Sequence, residues 1–389
     1  MTKKWSSRLT FFAFVVLMVG LGSNDSLRGI FSTIFQEHFS LTTTQLGLIV
    51  TASYIGNLVF LLVGGNLSTR FSQKRVLQVL ILIWMAALAL FAFTSNYTVL
   101  LIGMALALGS STLLNTTMNL ITPLLFATAP GFFVNFLFFT QEIGTSGSQY
   151  ILGSHADGLA FWQHTNLVLL ILGAVAFVLL LFCNVPEEAA DPADTPAQKG
   201  GYDWRIIVPY VLVFGFYFIA EHGVMNWMVA YGVDGLGLPQ ASAAKYLSVF
   251  FGGMMIGRLC LSPLVDKLGT LKSLAAFGGV SCVLYLIGSL GGAVTMPVWA
   301  ISGLSFSILY PTLVMSIRLY FPAQQVSGAA GTILSIASLA DILFNVGFGK
   351  LVDMAGYAVS IRVLPLSVLA FFIVFMLFTK FCKPTQKLK

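Results

Sequence analysis

The sequence contains very little charge and very little cysteine. Only 9% of its 389 residues are charged and four are cysteine, whereas 57% are apolar. Soluble domains carry about 25% charged residues, so the composition excludes an ordinary soluble enzyme. The few cysteines exclude a disulfide-rich scaffold, and the apolar content excludes a disordered chain. Because a helix needs about 20 apolar residues to cross a bilayer, we interpret the chain as a polytopic α-helical membrane protein.

Motifs for soluble catalysis and nucleotide binding are absent as well. The chain has no Walker A motif, no G-x-S-x-G, no H-E-x-x-H and no C-x-x-C. We therefore expect this chain to have no enzymatic activity, to bind no cofactor and not to use ATP hydrolysis to drive transport. His38, His155 and His164 are predicted in outer loops and not beside His222, so no metal site is expected. No basic cluster is longer than a loop, so the net charge of +6 predicts no nucleic-acid partner.

Hydropathy predicts twelve membrane-spanning helices in two groups of six. The first six run at about 8–35, 45–67, 76–94, 97–124, 131–153 and 165–185. The second six run at about 205–232, 243–264, 272–290, 295–320, 326–350 and 357–382. Most of the 20 Lys and Arg fall on the side that holds the N-terminus, which the positive-inside rule makes the cytoplasm. We expect an integral protein of the plasma (inner) membrane with both termini cytoplasmic.

One long polar segment separates the two groups of helices. Residues 186–203 read PEEAADPADTPAQKGGYD, which is typical of a flexible linker. The predicted organisation is an N-terminal six-helix bundle at 1–185, a cytoplasmic linker at 186–203 and a C-terminal bundle at 204–389. A weak repeat relates the bundles, because 65–75 (GNLSTRFSQKR) corresponds to 262–272 (SPLVDKLGTLK) and 24–25 to 221–222. Such repeats mark transporters whose halves rock about a central site.

Segment 65–75 resembles the loop 2–3 motif of the major facilitator superfamily, G-x-L-x-D-R-x-G-R-R/K. The matching residues are Gly65, Leu67, Arg70, Lys74 and Arg75, while Thr69 replaces the Asp of the motif; the second copy keeps Asp266 and Lys267. The resemblance implies a major facilitator fold of two pseudo-symmetric six-helix halves, working by alternating access. It also implies a cytoplasmic gate of Arg70, Arg75, Asp266 and Lys267, although positive-inside charge alone would explain these residues. Arg258, inside helix 8, is expected either to join the gate or to pair with an acid.

A narrower resemblance covers helices 1–2, 7–8 and 10, which look like the fucose permease branch of this superfamily. The segments that carry it include GLGSNDSLRGIF, YFIAEHGVMNW and GLSFSILYPTL. Members of that branch include sugar–proton symporters. In helix 4 the branch carries a pattern like E-T-A-A-N, where this chain has Asn115-Thr-Thr-Met-Asn119. Because an amide cannot titrate, another acid would have to carry a proton at this point, or the protein would be a uniporter.

Four acids lie inside predicted helices: Asp25, Glu142, Glu221 and Asp341. An ionised carboxylate at the bilayer centre costs about 3 kcal/mol on insertion scales. Such a group must face the protein interior, pair with a base or be protonated. We assign proton coupling to Asp25, Glu142 and Glu221; a static pair with Arg28 is the alternative for Asp25.

Amide and hydroxyl side chains form stripes along helices 4, 5, 7 and 11. Their spacings of three and four residues place them on shared faces, which predicts a wet cavity. Hydrogen bonding between helices is the alternative. Amides both donate and accept, so they suit a hydroxyl-rich solute. The predicted substrate-binding residues are Asn24, Asn115, Asn119, Gln141, His222, Asn226, Trp227, Asp341 and Asn345; for Trp227, anchoring at the membrane interface is the alternative.

Together these features predict a secondary active transporter for a small polar solute. A sugar is the first expectation for the solute and a proton for the co-substrate, in a monomer held in the lipid bilayer. A proton-driven exporter of drugs or metabolites is one alternative, in which some of the 34 Phe would line an apolar cavity. A non-transporting membrane sensor or scaffold is another, and it would tolerate changes at the buried acids.

Overall fold

Helices make up every regular element in the described part of the computed structural model. The structure describes residues 3–126, 130–183, 185 and 203–384, without the side chains of 3–5, 63–70, 130–132, 135, 266, 323–324 and 327. The chain divides into two compact units, Met1–Asp191 and Pro192–Lys389. The predicted linker, 186–203, lies outside the described residues except for Asp203, whose carboxylate caps the helix that begins at Trp204.

The N-terminal unit contains six long helices and one short one. They are α1 (Lys3–Ile30), α2 (Ser32–His38), α3 (Thr43–Arg70), α4 (Gln73–Phe93), α5 (Tyr97–Leu125), α6 (Pro130–Ile151) and α7 (Leu159–Leu181). The loop predicted around residues 65–75 is shorter than expected, because α3 continues to Arg70 and α4 begins at Gln73. The structure also corrects the position of His164, which lies in α7 and not in a loop.

The C-terminal unit contains five long helices, while its fourth predicted span is broken into short pieces. Its elements are α8 (Trp204–Ala230), α9 (Gln240–Cys260), α10 (Ser262–Leu268), α11 (Thr270–Leu290), α12 (Met296–Ile301), α13 (Gly303–Phe306), α14 (Leu309–Ser316), α15 (Ala323–Ala355), α16 (Tyr357–Ser360) and α17 (Val363–Phe381). The breaks fall at Ser302 and Ser307, whose hydroxyls bond the carbonyls of Trp299 and Leu304. Such local bonds compete with the regular helical ladder.

The same helix pairing occurs in both units. In the N-terminal unit α1 packs on α6, α3 on α5, and α4 on α7. In the C-terminal unit α8 packs on α15, α9 on α12 and α13, and α11 on α17. These are equivalent pairs when the six spans of each unit are numbered in order. The pairing confirms the pseudo-symmetric architecture predicted from the weak sequence repeat.

Small residues allow the helices to approach closely at the centre of each unit. A methyl group added to Gly22 of α1 would collide with the Gln141 carbonyl of α6, and one added to Gly144 would collide with the Val19 carbonyl. Hydroxyls connect the same contact, since Thr145 donates to the Gly22 carbonyl at 3.2 Å. In the C-terminal unit a methyl at Gly257 of α9 would strike the Leu304 carbonyl, as its G-x-x-x-G pattern predicts.

The outward faces of the helices are apolar. On α7 the large exposed side chains are Val168, Ile171, Val175 and Val178, at spacings of three and four residues that place them on one face. Ten helices of the described chain are long and apolar enough to cross a membrane. The helices at the two other predicted spans, α6 and α9, have 22 and 21 residues and carry more polar side chains. The chain is therefore an all-α integral membrane protein.

We predict that Gly144→Ala lowers the thermal stability of the purified protein. The added methyl would force α1 and α6 apart, and overpacking of this kind costs about 1–3 kcal/mol. Gly147→Ala, three residues further along α6, is the control because nothing lies within 4 Å of its added methyl group. Thermal unfolding in detergent should show a lower midpoint for Gly144→Ala only. Equal midpoints for the two variants would show that α1 and α6 are not in close contact.

Candidate functional site

A chain of three amides joins α5 to α6 in the N-terminal unit. Asn119 donates through Nδ2 to Asn115 Oδ1 at 2.6 Å, and Asn115 donates to Gln141 Oε1 at 2.6 Å. All three side chains are partly exposed. Asn119 Oδ1 has no hydrogen-bond partner within the described chain. The series of amides therefore ends in a buried acceptor without a partner in this state, and buried polar atoms of this kind call for an explanation.

The polar residues of α1 contact the neighbouring helices α4 and α5. Asp25 is half-buried, and the Ser111 hydroxyl of α5 lies 3.5 Å from its Oδ2. Asn24 is buried and accepts from Trp84 Nε1 at 3.3 Å, so it fixes α1 against α4 and offers little surface to a solute. Arg28 is buried, with its guanidinium 5.7 Å from the centre of the Tyr54 ring. Of the predicted substrate ligand Asn24 and the predicted proton carrier Asp25, only Asp25 is accessible from outside the helix bundle.

Two side chains of α6 extend the polar face that begins at Gln141. Glu142 is half-buried. Gln149, which sequence reasoning did not single out, is fully buried, and neither atom of its amide group has a partner in the described residues. Its spacing of four from Thr145 places it on the same face as Gln141 and Thr145, which is the one signal that could have found it.

A histidine–aspartate pair joins α8 to α15 in the C-terminal unit. His222 Nδ1 lies 2.5 Å from Asp341 Oδ2. The Asp341 side chain is 3% exposed and that of His222 is 25% exposed, so the histidine covers the carboxylate. Phe218 stacks on the imidazole with the ring planes 7° apart. The sequence placed both residues among the substrate ligands but did not predict their contact.

Asn345 connects the carboxylate to a second contact between the same two helices. Its Nδ2 donates to the Asp341 carbonyl at 2.8 Å and lies 3.4 Å from Oδ1. Its Oδ1 accepts from Trp227 Nε1 at 2.9 Å. The structure corrects the prediction for Trp227, which is fully buried against Phe348 and presents no ring face to a solute or to the membrane interface. Asn345 is fully buried too, and Asn226 is 2% exposed.

Glu221 occupies a different environment from its neighbour His222. It interacts electrostatically with Tyr217 and Tyr310, two buried or half-buried phenols that the sequence did not indicate. Arg258 of α9 acts on the same two phenols with the opposite sign. Arg258 therefore faces the acid-bearing part of α8, which favours pairing with an acid over a place in the cytoplasmic gate.

The structure describes the side chains of only two of the four remaining predicted gate residues. The side chains of Arg70 and Asp266 lie outside the described residues, and those of Arg75 and Lys267 are exposed. Lys74 of the same motif has a defined role, because its Nζ donates to the carbonyls of Leu181 and Cys183 at 3.0 and 2.7 Å. A basic side chain at this position stabilises the C-terminus of α7. Within the described residues, no cluster of three or more His, Cys, Asp or Glu could hold a metal ion.

The two units therefore present different chemistry. The N-terminal unit offers neutral amides, which can exchange hydrogen bonds with hydroxyl groups, together with the half-buried Asp25. The C-terminal unit offers one pair of titratable groups on α8 and α15 and one acid with a nearby arginine. Ionisable groups at this depth are rare and costly unless they serve ion or solute pathways.

Comparison with known proteins places the chain in one family of membrane proteins. Residues 10–343 match the Major Facilitator Superfamily. The L-fucose-proton symporter of Escherichia coli (strain K12) is 24% identical over 333 residues, which cover 74% of this chain and 75% of the symporter. The glucose/galactose transporter of Brucella abortus (strain 2308) is 27% identical over 342 residues, or 82% and 81% of the two chains. The solved structure of a D-xylose-proton symporter shares the fold, with a TM-score of 0.78, 16% identity and 99% coverage of both chains.

We predict that Asn345→Leu destabilises the C-terminal unit. Leucine has a similar volume but leaves the Trp227 N–H without its acceptor, and an unsatisfied buried polar group costs about 1–3 kcal/mol. Ser338→Ala on the same helix is the control, since the Ser338 hydroxyl bonds the Leu334 carbonyl one turn earlier within its own helix. Thermal unfolding should show a lower midpoint for Asn345→Leu than for Ser338→Ala. A midpoint unchanged from the wild type would contradict the described network.

Proposed function

This chain belongs to the Major Facilitator Superfamily, and we propose that it is a secondary active transporter that carries a small polar solute, first of all a sugar, together with protons. Membership of this family makes it a transporter and not an enzyme. The names of its relatives, a fucose–proton symporter and a glucose/galactose transporter, support a sugar as the solute. The proposal includes a monomer in the plasma (inner) membrane, two bundles at 1–185 and 204–389 joined by a cytoplasmic linker, and both termini in the cytoplasm.

The amide chain of Asn119, Asn115 and Gln141 is the observation that carries the proposed substrate class. Its groups are neutral, partly exposed and already aligned by hydrogen bonds at 2.6 Å. Neutral amides recognise hydroxyl groups by donating and accepting at once, whereas a cationic or anionic solute would require a fixed opposite charge there. Asn119 Oδ1 is buried without a partner in the described residues, and in this proposal it accepts from one hydroxyl when the solute displaces the side chains around it.

Asp25 is the acid that we propose as the proton carrier of the N-terminal unit. It is half-buried beside the Ser111 hydroxyl, so it can exchange a proton while remaining shielded from bulk water. Asn115 stands where the resemblance to the fucose permease branch leads one to expect a glutamate, so Asp25 would act in this unit without that second acid. Glu142 is the further acid that we assign to proton coupling, whereas Glu221, a candidate from the sequence, has Arg258 acting on the same two phenols.

We predict that Asp25→Asn abolishes proton-driven accumulation but preserves solute exchange. With one proton per solute, a gradient of one pH unit supports about tenfold accumulation. Proteoliposomes loaded and assayed with L-fucose, D-glucose and D-galactose should show that accumulation for the wild type and equilibration only for Asp25→Asn. Asp157→Asn, an exposed acid outside the helices, is the control. Wild-type accumulation by Asp25→Asn would exclude Asp25 as carrier, and accumulation against an opposite gradient would identify an exporter.

We predict that Asn119→Ala raises the KM for the transported sugar by about two- to tenfold, since the loss of one hydrogen bond to a solute costs about 0.5–1.5 kcal/mol. Thr116→Ala on the same helix is the control, because its exposed hydroxyl bonds the Thr112 carbonyl one turn earlier. Initial rates of counterflow measure both variants. An unchanged KM for Asn119→Ala would show that the amide chain is structural only.

A further inference from the structure

We infer that the His222–Asp341 pair is a second proton-exchange site, and that it, not Glu221, couples proton movement to the C-terminal unit. The inference rests on the proposed proton-coupled transport and deepens it. Its geometric basis is the direct contact at 2.5 Å between the imidazole of α8 and the carboxylate of α15. Histidine is the side chain whose charge ordinarily changes near neutral pH.

The two members of the pair differ in their access to water. Asp341 is 2% exposed as a residue, so water reaches the pair through the imidazole, whose side chain is 25% exposed. The exchange step removes one proton from the imidazolium of His222 to water and leaves a neutral imidazole against the Asp341 carboxylate. The pair then changes from net neutral to one negative charge. In the reverse step water returns the proton to the same ring.

The charge of the pair acts on a contact between two long helices. His222–Asp341 and Trp227–Asn345 join α8 and α15 at points about one turn apart along each helix. Asn345 belongs to both connections because it donates to the Asp341 carbonyl and accepts from Trp227. Once His222 is neutral, the negative charge of the Asp341 carboxylate has no cation beside it, which is costly at this depth. Loss of the proton therefore weakens the packing of α8 on α15, which gives protonation a mechanical consequence.

The ionisable groups around Glu221 give it a different electrostatic environment from that of Asp341. Glu221 interacts electrostatically with Tyr217 of the same helix, Tyr285 of α11 and Tyr310 of α14. Arg258 of α9 acts on Tyr217 and Tyr310 with the opposite sign. Arginine keeps its charge at every physiological pH, so the positive charge near Glu221 is permanent. The positive charge beside Asp341 belongs to a histidine and can be removed.

Among the described residues, the other ionisable groups of the packed helices lie elsewhere. Arg362, just before α17, is exposed and lines a surface with Leu286 and Leu290 of α11. On α15 the next ionisable residues after Asp341 are Lys350 and Asp353, which lie about 13 Å or more from it along the helix axis. Lys380 at the end of α17 is exposed, and Lys245 and Tyr246 of α9 lie within two turns of its start at the opposite end from Arg258. Asp234 lies in the turn after α8, three turns beyond His222.

Nuclear magnetic resonance of the full chain labelled with ¹³C at the histidine rings tests the pair without any solute. The chain has four histidines, and the His222 signal is the one lost in His222→Gln. We expect that signal to titrate, and its midpoint to move in Asp341→Asn but not in Asp353→Asn, an exposed acid on the same helix. A His222 signal that does not respond to pH, or a midpoint unaffected by Asp341→Asn, would overturn the inference.

Transport by the full chain in proteoliposomes, with the same three sugars, tests the coupling. We expect His222→Gln and Asp341→Asn to lose the accumulation of about tenfold per pH unit while counterflow continues, and Glu221→Gln to keep it. If Asp341→Asn does not fold, His222→Gln decides, since glutamine still donates a hydrogen bond to Asp341. Wild-type accumulation by His222→Gln would overturn the inference. Absence of counterflow in the wild type would instead refute the proposed function, and the resonance experiment would still decide the pair.

Discussion

The bilayer contains no water that could satisfy a polar group, and this constraint governs the rest of the structure. Each polar side chain inside a spanning helix must find a partner, in its own helix or in another, or line a wet surface. The protein satisfies it with a small number of contacts between helices, among them Asn115–Gln141, Asn24–Trp84, His222–Asp341 and Trp227–Asn345. Close helix packing at glycines makes these contacts possible, because it places short polar side chains within reach of each other.

The two units share a pattern of helix pairs but differ in the polar chemistry that they carry. In the N-terminal unit the contacts between α5 and α6 are made by neutral amides, which can be shared with a solute at little electrostatic cost. In the C-terminal unit the contact between α8 and α15 contains a titratable pair. In the proposed assignment hydroxyl recognition belongs to α5 and α6, whereas proton exchange involves both units, through Asp25 in the first and the His222–Asp341 pair in the second.

Much of the fold could be predicted from the sequence, because bilayer thickness determines the length of a span and hydropathy reveals it. The break of the tenth span at Ser302 and Ser307 could not be predicted from the sequence, because it depends on hydroxyls that bond to nearby carbonyls. For the site, Asn115, Gln141, His222 and Asp341 were all recognised as polar residues in spans. The contacts between them were not recognised. His222 and Asp341 are 119 residues apart, and predicting their contact requires knowing which helix faces meet. Trp227 was misread for the same reason.

The most direct measurement of the central claim records proton movement with solute movement. Proteoliposomes in a weakly buffered medium without an imposed gradient are given L-fucose, D-glucose or D-galactose, and the external pH is followed. The account predicts that a transported sugar makes the medium more alkaline as protons enter with it, and that a protonophore removes the signal. Sugar uptake with no change in external pH would contradict proton coupling.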